Sequence, residues 1–357
     1  MQTALILASA SLLASASLLA AVGCRDDDAP TEPTAVPAPS IAQATAVNNW
    51  LTKRNMPSDR YGPATATLVG ANSETVVYVI AGQTEPFNPS RLAVPVGKVQ
   101  SYRPSTDAWT NRASLPVALY NTNGAGAIRG KVYVSGGQRP GGAPQRDLWM
   151  YDPATDRWTF KRKLPIPGYG GVTAVYRDKL YVVSQCQGAA VTEPGCEDII
   201  RSRWGIFRYD PATDRWTFLS VAPAQPAGTG GFIGGKFYVI TYSYEGRGRL
   251  DVYDVATNTW STRTPIPAER GGAASATVAG KLYVAGGVEA DTNNTGSYFQ
   301  SRTAVVRYDP ATDRWTQLAS LPEQRDGLAG ARVVVNGQAR FEVIGGARPG
   351  NNLQYLP

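Results

Sequence analysis

The residues best equipped for chemistry in this chain lie in an eight-residue string, YDPATDRW. It occurs three times without change, at 151–158, 209–216 and 308–315. Each copy brings together two aspartates, an arginine and two aromatic rings, a set that could hold Ca²⁺ or a polar substrate. The same residue types also suit a tight turn, because proline fixes φ and Asp and Thr side chains bond to turn amides. The string is either a repeated binding site or a repeated structural joint.

Other catalytic groups are scarce. None of the 357 residues is a histidine, so the commonest general base is missing. No G-x-S-x-G motif, phosphate-binding loop or paired-cysteine metal set is present, and we predict neither a metal nor a cofactor. The net charge of +7 comes from basic residues that are scattered among aspartates. A nucleic-acid partner is therefore not expected.

The string is part of a longer repeat. Five Tyr–Trp pairs share its seven-residue spacing: Tyr102 and Trp109, Tyr151 and Trp158, Tyr209 and Trp216, Tyr253 and Trp260, Tyr308 and Trp315. A strand-like run such as KLYVAGG precedes each pair, and Gly, Ala, Thr and Val precede that run. Apolar residues at period two between glycines and Asp-Pro turns predict four short strands per unit and an all-β fold.

A sixth unit is divided between the two ends of the chain. RFEVIGG at 340–346 matches the second strand of a unit, and Tyr355 matches the repeated Tyr, but no Trp follows it. Trp50 supplies the missing residue, and like the other five repeated tryptophans it has a proline seven positions later. The N-terminal strand around Trp50 is thus expected to complete the last sheet and close a ring, which removes unpaired edges.

These features resemble the kelch family of β-propellers. The family's doublet of glycines appears at Gly136-Gly137, Gly286-Gly287 and Gly345-Gly346, each followed by a spaced Tyr and, in the first two units, a Trp. The resemblance covers residues 48–357 and implies a six-bladed propeller with four-stranded antiparallel blades. Ser184-Gln185 and Thr241-Tyr242 replace the doublet in two blades.

Within such a blade the octapeptide is expected to link the third strand to the fourth. The copy at 253–260 loses Pro, Asp and Arg but keeps Tyr253 and Trp260, which favours a structural role for the string. Six turns spread around a ring cannot converge on one ligand. We therefore expect function on the opposite rim.

That rim carries the connections between second and third strands and between fourth and first strands. Three of the former are long, at 83–97, 186–203 and 288–303. Arginines and tyrosines at the channel mouth suit an anionic or carbohydrate ligand, although an Arg before a first strand can equally serve structural hydrogen bonds. The candidate ligand-binding residues are Arg60, Tyr61, Tyr120, Tyr169, Glu245, Arg247, Arg270, Arg325 and Asp326.

Two functions are compatible with this pattern. The first is a monomeric, non-enzymatic scaffold at the bacterial envelope that recognises a protein or a glycan. The alternative is an enzyme that resembles the kelch-type N-acetylneuraminate epimerase or mutarotase, with Glu245 and Arg247, or Glu197 and Asp326, as candidate acid and base. Copper radical chemistry of the galactose oxidase type is excluded, because its copper needs histidine ligands.

The N-terminus has the composition of a targeting segment. Residues 1–23 are uncharged apart from the terminus and rich in Leu, Ala and Ser, as in a signal peptide, and Cys24 follows a sequence similar to a bacterial lipobox. An ordinary signal peptide followed by an incidental cysteine is the alternative. Residues 24–47 suit a disordered tether. We expect an exported, outer-membrane-anchored lipoprotein whose propeller spans 48–357 and meets the membrane only through the lipid.

The two remaining cysteines are Cys186 and Cys196. In an exported protein, a pair this close within a Gly- and Pro-containing segment predicts a disulfide that closes a loop.

Overall fold

The computed structural model describes residues 42–43, 49–70, 73–84, 94–185, 204–242, 248–268, 270–290, 299–346 and 352–356. Throughout these ranges the chain forms β-strands joined by turns and connections, as the period-two pattern predicted.

Six four-stranded antiparallel sheets form the blades of a propeller. The strands of each blade are given from first to fourth. Blade 1 has β3 (Ala64–Val69), β4 (Thr75–Ile80), β5 (Val99–Arg103) and β6 (Ala108–Arg112); blade 2 has β7 (Ala125–Ile128), β8 (Lys131–Ser135), β9 (Leu148–Asp152) and β10 (Arg157–Lys161); blade 3 has β11 (Val172–Tyr176), β12 (Lys179–Gln185), β13 (Trp204–Asp210) and β14 (Arg215–Val221). Blade 4 has β15 (Pro226–Ile233), β16 (Lys236–Tyr242), β17 (Gly248–Asp254) and β18 (Thr259–Arg263); blade 5 has β19 (Ala274–Val278), β20 (Lys281–Ala285), β23 (Val305–Asp309) and β24 (Arg314–Leu318); blade 6 has β25 (Leu328–Val335), β26 (Gln338–Gly345), β27 (Asn352–Leu356) and β2 (Asn49–Lys53).

Two further features lie outside this pattern. A short hairpin of β21 (Val288–Ala290) and β22 (Phe299–Ser301) rises from blade 5. Strand β1 (Ala42–Gln43) pairs in parallel with β24 at the outer edge of the same blade.

The N-terminal strand closes the ring. β2 pairs antiparallel with β27, and Trp50 lies opposite Tyr355, as each repeated Trp lies opposite its Tyr in the other blades. The first strands contact one another in the cyclic order β3, β7, β11, β15, β19, β25 and back to β3. The prediction of six blades with the closing strand at Trp50 is confirmed.

Aromatic side chains fill the spaces between blades. Each second strand of blades 1 to 5 carries a buried Tyr that faces the next blade. Tyr78 lies 5.6 Å from Tyr151 of blade 2, measured between ring centroids, and Tyr283 lies 6.0 Å from Tyr355 of blade 6. Such pairs contribute about 0.5–1.5 kcal/mol each beyond their area burial, so the repeated Tyr and Trp hold neighbouring sheets together.

Small residues let the first strands crowd around the axis. A Cβ on Gly330 would lie 2.3 Å from the backbone oxygen of Ser275 in blade 5, and one on Gly126 would lie 2.6 Å from Val175 in blade 3. Hydroxyl groups link the same strands, since Thr65 donates to the carbonyl of Gly330 at 2.7 Å. The strands leave an axial cavity of about 130 Å³, lined largely by their first residues.

Candidate functional site

The octapeptide joins neighbouring blades. In blade 2, Asp156 has a φ of 53° and accepts hydrogen bonds from the phenol of Tyr151 and, at 2.9 Å, from the backbone amide of Ala113 in blade 1. The indole of Trp158 donates to the carbonyl of that same Ala113 at 2.8 Å. The hydrogen bond from Tyr151, followed by that from Ala113, holds the pKa of Asp156 below its usual value. We call this pair of bonds to one residue of the preceding blade the blade staple.

The blade staple recurs around the ring. In each copy one residue of the preceding blade donates its amide to the Asp and accepts at its carbonyl from the Trp. These sets are Arg54 with Asp107 and Trp109, Arg162 with Asp214 and Trp216, and Thr264 with Asp313 and Trp315. The first Asp of each string forms a further link within its blade, since Lys131 lies 2.7 Å from Asp152 and Lys179 lies 2.6 Å from Asp210. The aspartates that could have bound Ca²⁺ are thus engaged by the fold itself.

Blade 4 lacks the complete staple, in line with its altered sequence. Asn258 takes the place of the second Asp and donates to the carbonyl of Leu219 at 3.2 Å. The indole nitrogen of Trp260 is buried and has no hydrogen-bond partner among the described residues. In the altered turn one bond to blade 3 therefore remains, from Asn258 to Leu219, and the aromatic packing of Trp260 on Tyr253 stays.

The opposite rim is formed by the connections between second and third strands and between fourth and first strands, and we call it the loop rim. Single antiparallel bridges join a fourth-to-first connection to a second-to-third connection at Tyr61 with Gln83, Tyr120 with Gln138, and Gly271 with Val288. These bridges fix the bases of the long connections. Backbone hydrogen bonds therefore join the described parts of these connections to one another.

The three candidate arginines of the loop rim are buried. Arg60 is buried and donates to the carbonyls of Ala81 and Lys98 at 3.3 and 2.6 Å. Arg270 bonds likewise to the carbonyls of Gly286 and Ala304, and Arg325 to that of Gly345. Burial lowers the pKa of Arg60 to about 10 and also lowers that of the other two. Their bonds to strand-end carbonyls favour the structural alternative, since buried backbone acceptors need such donors.

Tyr61 and Asp326 do come together. The phenol of Tyr61 donates to Asp326 Oδ2 at 2.6 Å, and the hydroxyl of Ser301 donates to Oδ1 at 2.6 Å. Burial, followed by the negative charge of Asp326, raises the pKa of Tyr61. The cluster joins connections from blades 5, 6 and 1. Ser301 carries no sequence signal of its own, because it lies in the long connection between the second and third strands of blade 5.

Tyr120 and Tyr169 form a second group on the loop rim. Both side chains are half-buried. Burial, followed by the interaction with Tyr169, raises the pKa of Tyr120. Gln138 lies beside Tyr120, because the backbones of the two residues pair. The side-chain oxygen of Gln138 accepts from the side-chain amide of Asn121 at 3.1 Å. These side chains combine aromatic surface with amide and hydroxyl groups that point toward solvent in part.

Comparison with known proteins finds the same repeat. The Kelch motif model matches residues 122–165 and 269–322, which contain blades 2 and 5. The chain is a six-bladed β-propeller that carries Kelch motifs. Its predicted resemblance to the kelch family is confirmed.

Relatives of this kelch propeller are mostly larger proteins. Kelch-like protein terF of Aspergillus terreus is 42% identical over 84 residues, which cover 24% of this chain and 18% of the relative. Kelch-like protein 35 of Mus musculus is 25% identical over 228 residues, 62% of this chain and 34% of the relative. The chain thus spans about a third or less of these relatives' length. The solved structure of YjhT has a TM-score of 0.60 at 18% identity, covers 84% of this chain and 94% of its own, and supports the fold alone.

Several predicted residues of the kelch propeller lie outside the described ranges. They are Cys24, Cys186, Cys196, Glu197, Glu245 and Arg247. Within the described ranges, no group of three or more Asp, Glu or Cys side chains could hold a metal ion. The same part of the chain contains no helix long and apolar enough to cross a membrane.

Proposed function

We propose that this kelch propeller is a non-enzymatic binding scaffold that recognises a protein or glycan partner through the loop rim. Kelch propellers in general are protein-binding scaffolds. The observation that carries the proposal is the different use of polar side chains on the two rims. On the turn-bearing rim the aspartates and indoles of the octapeptides are engaged in blade staples. On the loop rim the half-exposed phenols of Tyr120 and Tyr169 make no hydrogen bond between blades within the described ranges.

The loop rim suits a partner that offers hydroxyl, amide or carboxylate groups. Tyrosine rings provide stacking surface at low conformational cost, and the exposed Asn121 adds an amide oxygen that can accept. We expect the long connections at 83–97, 186–203 and 288–303 to supply further contacts, since scaffolds usually place recognition residues in such segments. On this rim the hydroxyl groups of Ser301 and Tyr61 both donate to Asp326, and that carboxylate is buried. We take the cluster as structural and favour binding over turnover.

The experiment is a screen of the full-length protein against peptide and glycan arrays, sugar acids included. The double variant Tyr120→Ala/Tyr169→Ala should lose binding to every true ligand by about 10-fold or more, since aromatic anchors dominate such interfaces. Thr155→Ala/Thr312→Ala, at exposed positions of the turn-bearing rim, is the matched control and should bind as the wild type. Equal loss in the control would refute the assignment, and turnover of a sugar acid would support the enzyme instead.

Display at the cell envelope is a second part of the proposal. It is supported by the composition of residues 1–23 and the cysteine that follows them. Labelling of growing cells with an alkynyl fatty acid should mark the wild type and leave Cys24→Ser unlabelled. An unlabelled wild type would leave the ordinary signal peptide as the explanation.

A further inference from the structure

Blade 6 carries a carboxyl group at a position where the other blades carry an aromatic ring. The second strands of blades 1 to 5 hold a Tyr at this place: Tyr78, Tyr133, Tyr181, Tyr238 and Tyr283. In blade 6 the residue is Glu342, in β26. It faces Tyr102 of blade 1. Burial, followed by the negative charge of Glu342, raises the pKa of Tyr102.

Glu342 is fully buried and incompletely satisfied. One carboxyl oxygen, Oε2, accepts from the amide of Gln354 at 2.8 Å. The other, Oε1, and both polar atoms of the neighbouring buried Asn352 have no well-formed hydrogen bond among the described residues. Gln354 lies opposite Glu342 on β27, and Asn352 lies two residues along the same face. A neutral carboxyl would supply an O–H donor to this group, which a carboxylate lacks.

The surroundings of Glu342 disfavour its charge. Val77, Val79 and Tyr102 of blade 1 form an apolar cluster with Ala331 and Ile344, which flank Glu342 in blade 6.

The charged and titratable groups around it are few. Lys53 on β2 attracts the carboxylate, Asp107 in the blade 1 turn repels it, and Arg340 on the same strand bonds to Gln354. Burial outweighs the opposing effects of Gln354, Lys53 and Asn352 and raises the pKa of Glu342 to about 8.

This junction is also the one that the terminal strand closes. β27, which holds Gln354 and Asn352, pairs with β2, and Lys53 lies opposite Asn352. Arg54, directly after β2, takes part in the blade staple of blade 1, since its amide donates to Asp107 and its carbonyl accepts from Trp109. A change of charge at Glu342 therefore acts on β27, the strand with which β2 pairs.

We propose that Glu342 is a proton-dependent latch: its neutral carboxyl keeps the junction between blades 6 and 1 closed, and its ionisation loosens that junction and strand β2. The folded pKa lies above the unfolded one, so the closed state binds a proton that the opened state releases. Closure is strongest below the unfolded pKa of about 4.3 and weakens as the pH rises toward 8.

Hydrogen exchange of the full-length protein tests the latch. Protection of β2 and β27 amides, relative to their intrinsic exchange rates, should fall about 10-fold per pH unit between about pH 6 and pH 7 and level off above about pH 8. Amides of β9 and β10 in blade 2 should keep their protection. Glu342→Gln should flatten the profile of β2, because it removes the titrating group. Glu342→Tyr, which restores the residue of the other blades, should do the same.

Glu323→Gln is the control, since Glu323 is a half-buried carboxyl in a connection outside the sheets, and it should keep the wild-type slope. A flat wild-type profile, or an unchanged slope in Glu342→Gln, would overturn the proposal. Equal loss of protection in blade 2 would also overturn it, because the effect would then be global. If Glu342→Gln does not fold, the slope of Glu342→Tyr decides.

Discussion

The indole of Trp158 in blade 2 donates a 2.8 Å hydrogen bond to the backbone carbonyl of Ala113 in blade 1. The acceptor lies 45 residues earlier in the chain, which is close to one repeat. Ala113 also donates its amide to Asp156, so a single residue is gripped from both sides by one octapeptide. The most conspicuous polar string of the sequence is therefore an inter-blade joint.

The contribution of that hydrogen bond can be isolated with a pair of tryptophans. Trp158→Phe should lower the free energy of unfolding by about 1–2 kcal/mol more than Trp260→Phe does, because it leaves the Ala113 carbonyl unsatisfied. Trp260 is the matched control, since its ring packs on Tyr253 as Trp158 packs on Tyr151 but its buried nitrogen has no hydrogen-bond partner in the described part of the chain. Urea unfolding measures both. Equal losses would show that the staple contributes only aromatic packing.

Ring closure predicts a large effect of the N-terminal strand. Trp50 packs on Tyr355 at 5.3 Å and on Phe341 at 6.4 Å between ring centroids, and donates to the carbonyl of Ala319 in blade 5. Trp50→Ala should cost about 3–5 kcal/mol, and deletion of 48–57 should destabilise the whole propeller. Leu51→Ala, at an exposed position of the same strand, should cost less than about 1 kcal/mol. Thermal unfolding of the truncated protein at the wild-type temperature would contradict closure.

The blade count and the closing strand could be read from the sequence because the repeated Tyr and Trp are side chains with a fixed spacing. The residues to which the staples bind could not be predicted, since Arg54, Ala113, Arg162 and Thr264 take part through their backbones and follow no common side-chain pattern. The contact of Tyr61 with Asp326 spans 265 residues and depends on closure of the ring. Glu342 stands out in the alignment of repeats, but its burial follows only from the packing of blade 6 on blade 1.

The staple aspartates predict a loss of stability in acid. The pKa of Asp156 is lowered in the folded protein by the bonds from Tyr151 and Ala113. Its contribution is thus complete above the unfolded pKa of about 3.9 and is lost as the pH falls through the folded value. Asp156→Asn, which mimics blade 4, should weaken the fall in urea midpoint below about pH 4. An unchanged acid slope in this variant would show that Asp156 is not one of the groups responsible.

The predicted disulfide between Cys186 and Cys196 concerns residues outside the described ranges. Closing so short a loop should stabilise the protein by about 3 kcal/mol in the chain-entropy description. Peptide mapping under non-reducing conditions should recover the two cysteines in one linked fragment. Two thiols that react with an alkylating reagent in folded, oxidised protein would disprove the bond.

Photo-crosslinking on the two rims tests most directly the claim that binding lies opposite the octapeptide turns. Benzoylphenylalanine at Tyr120 or Tyr169 places the probe on the loop rim, and at Thr155 or Thr312 it occupies exposed turns of the other rim. In cells that produce the full-length protein, we expect discrete adducts from the first two positions and none from the last two. Adducts that form only from Thr155 and Thr312 would contradict the assignment and return the octapeptide rim to the role of binding site.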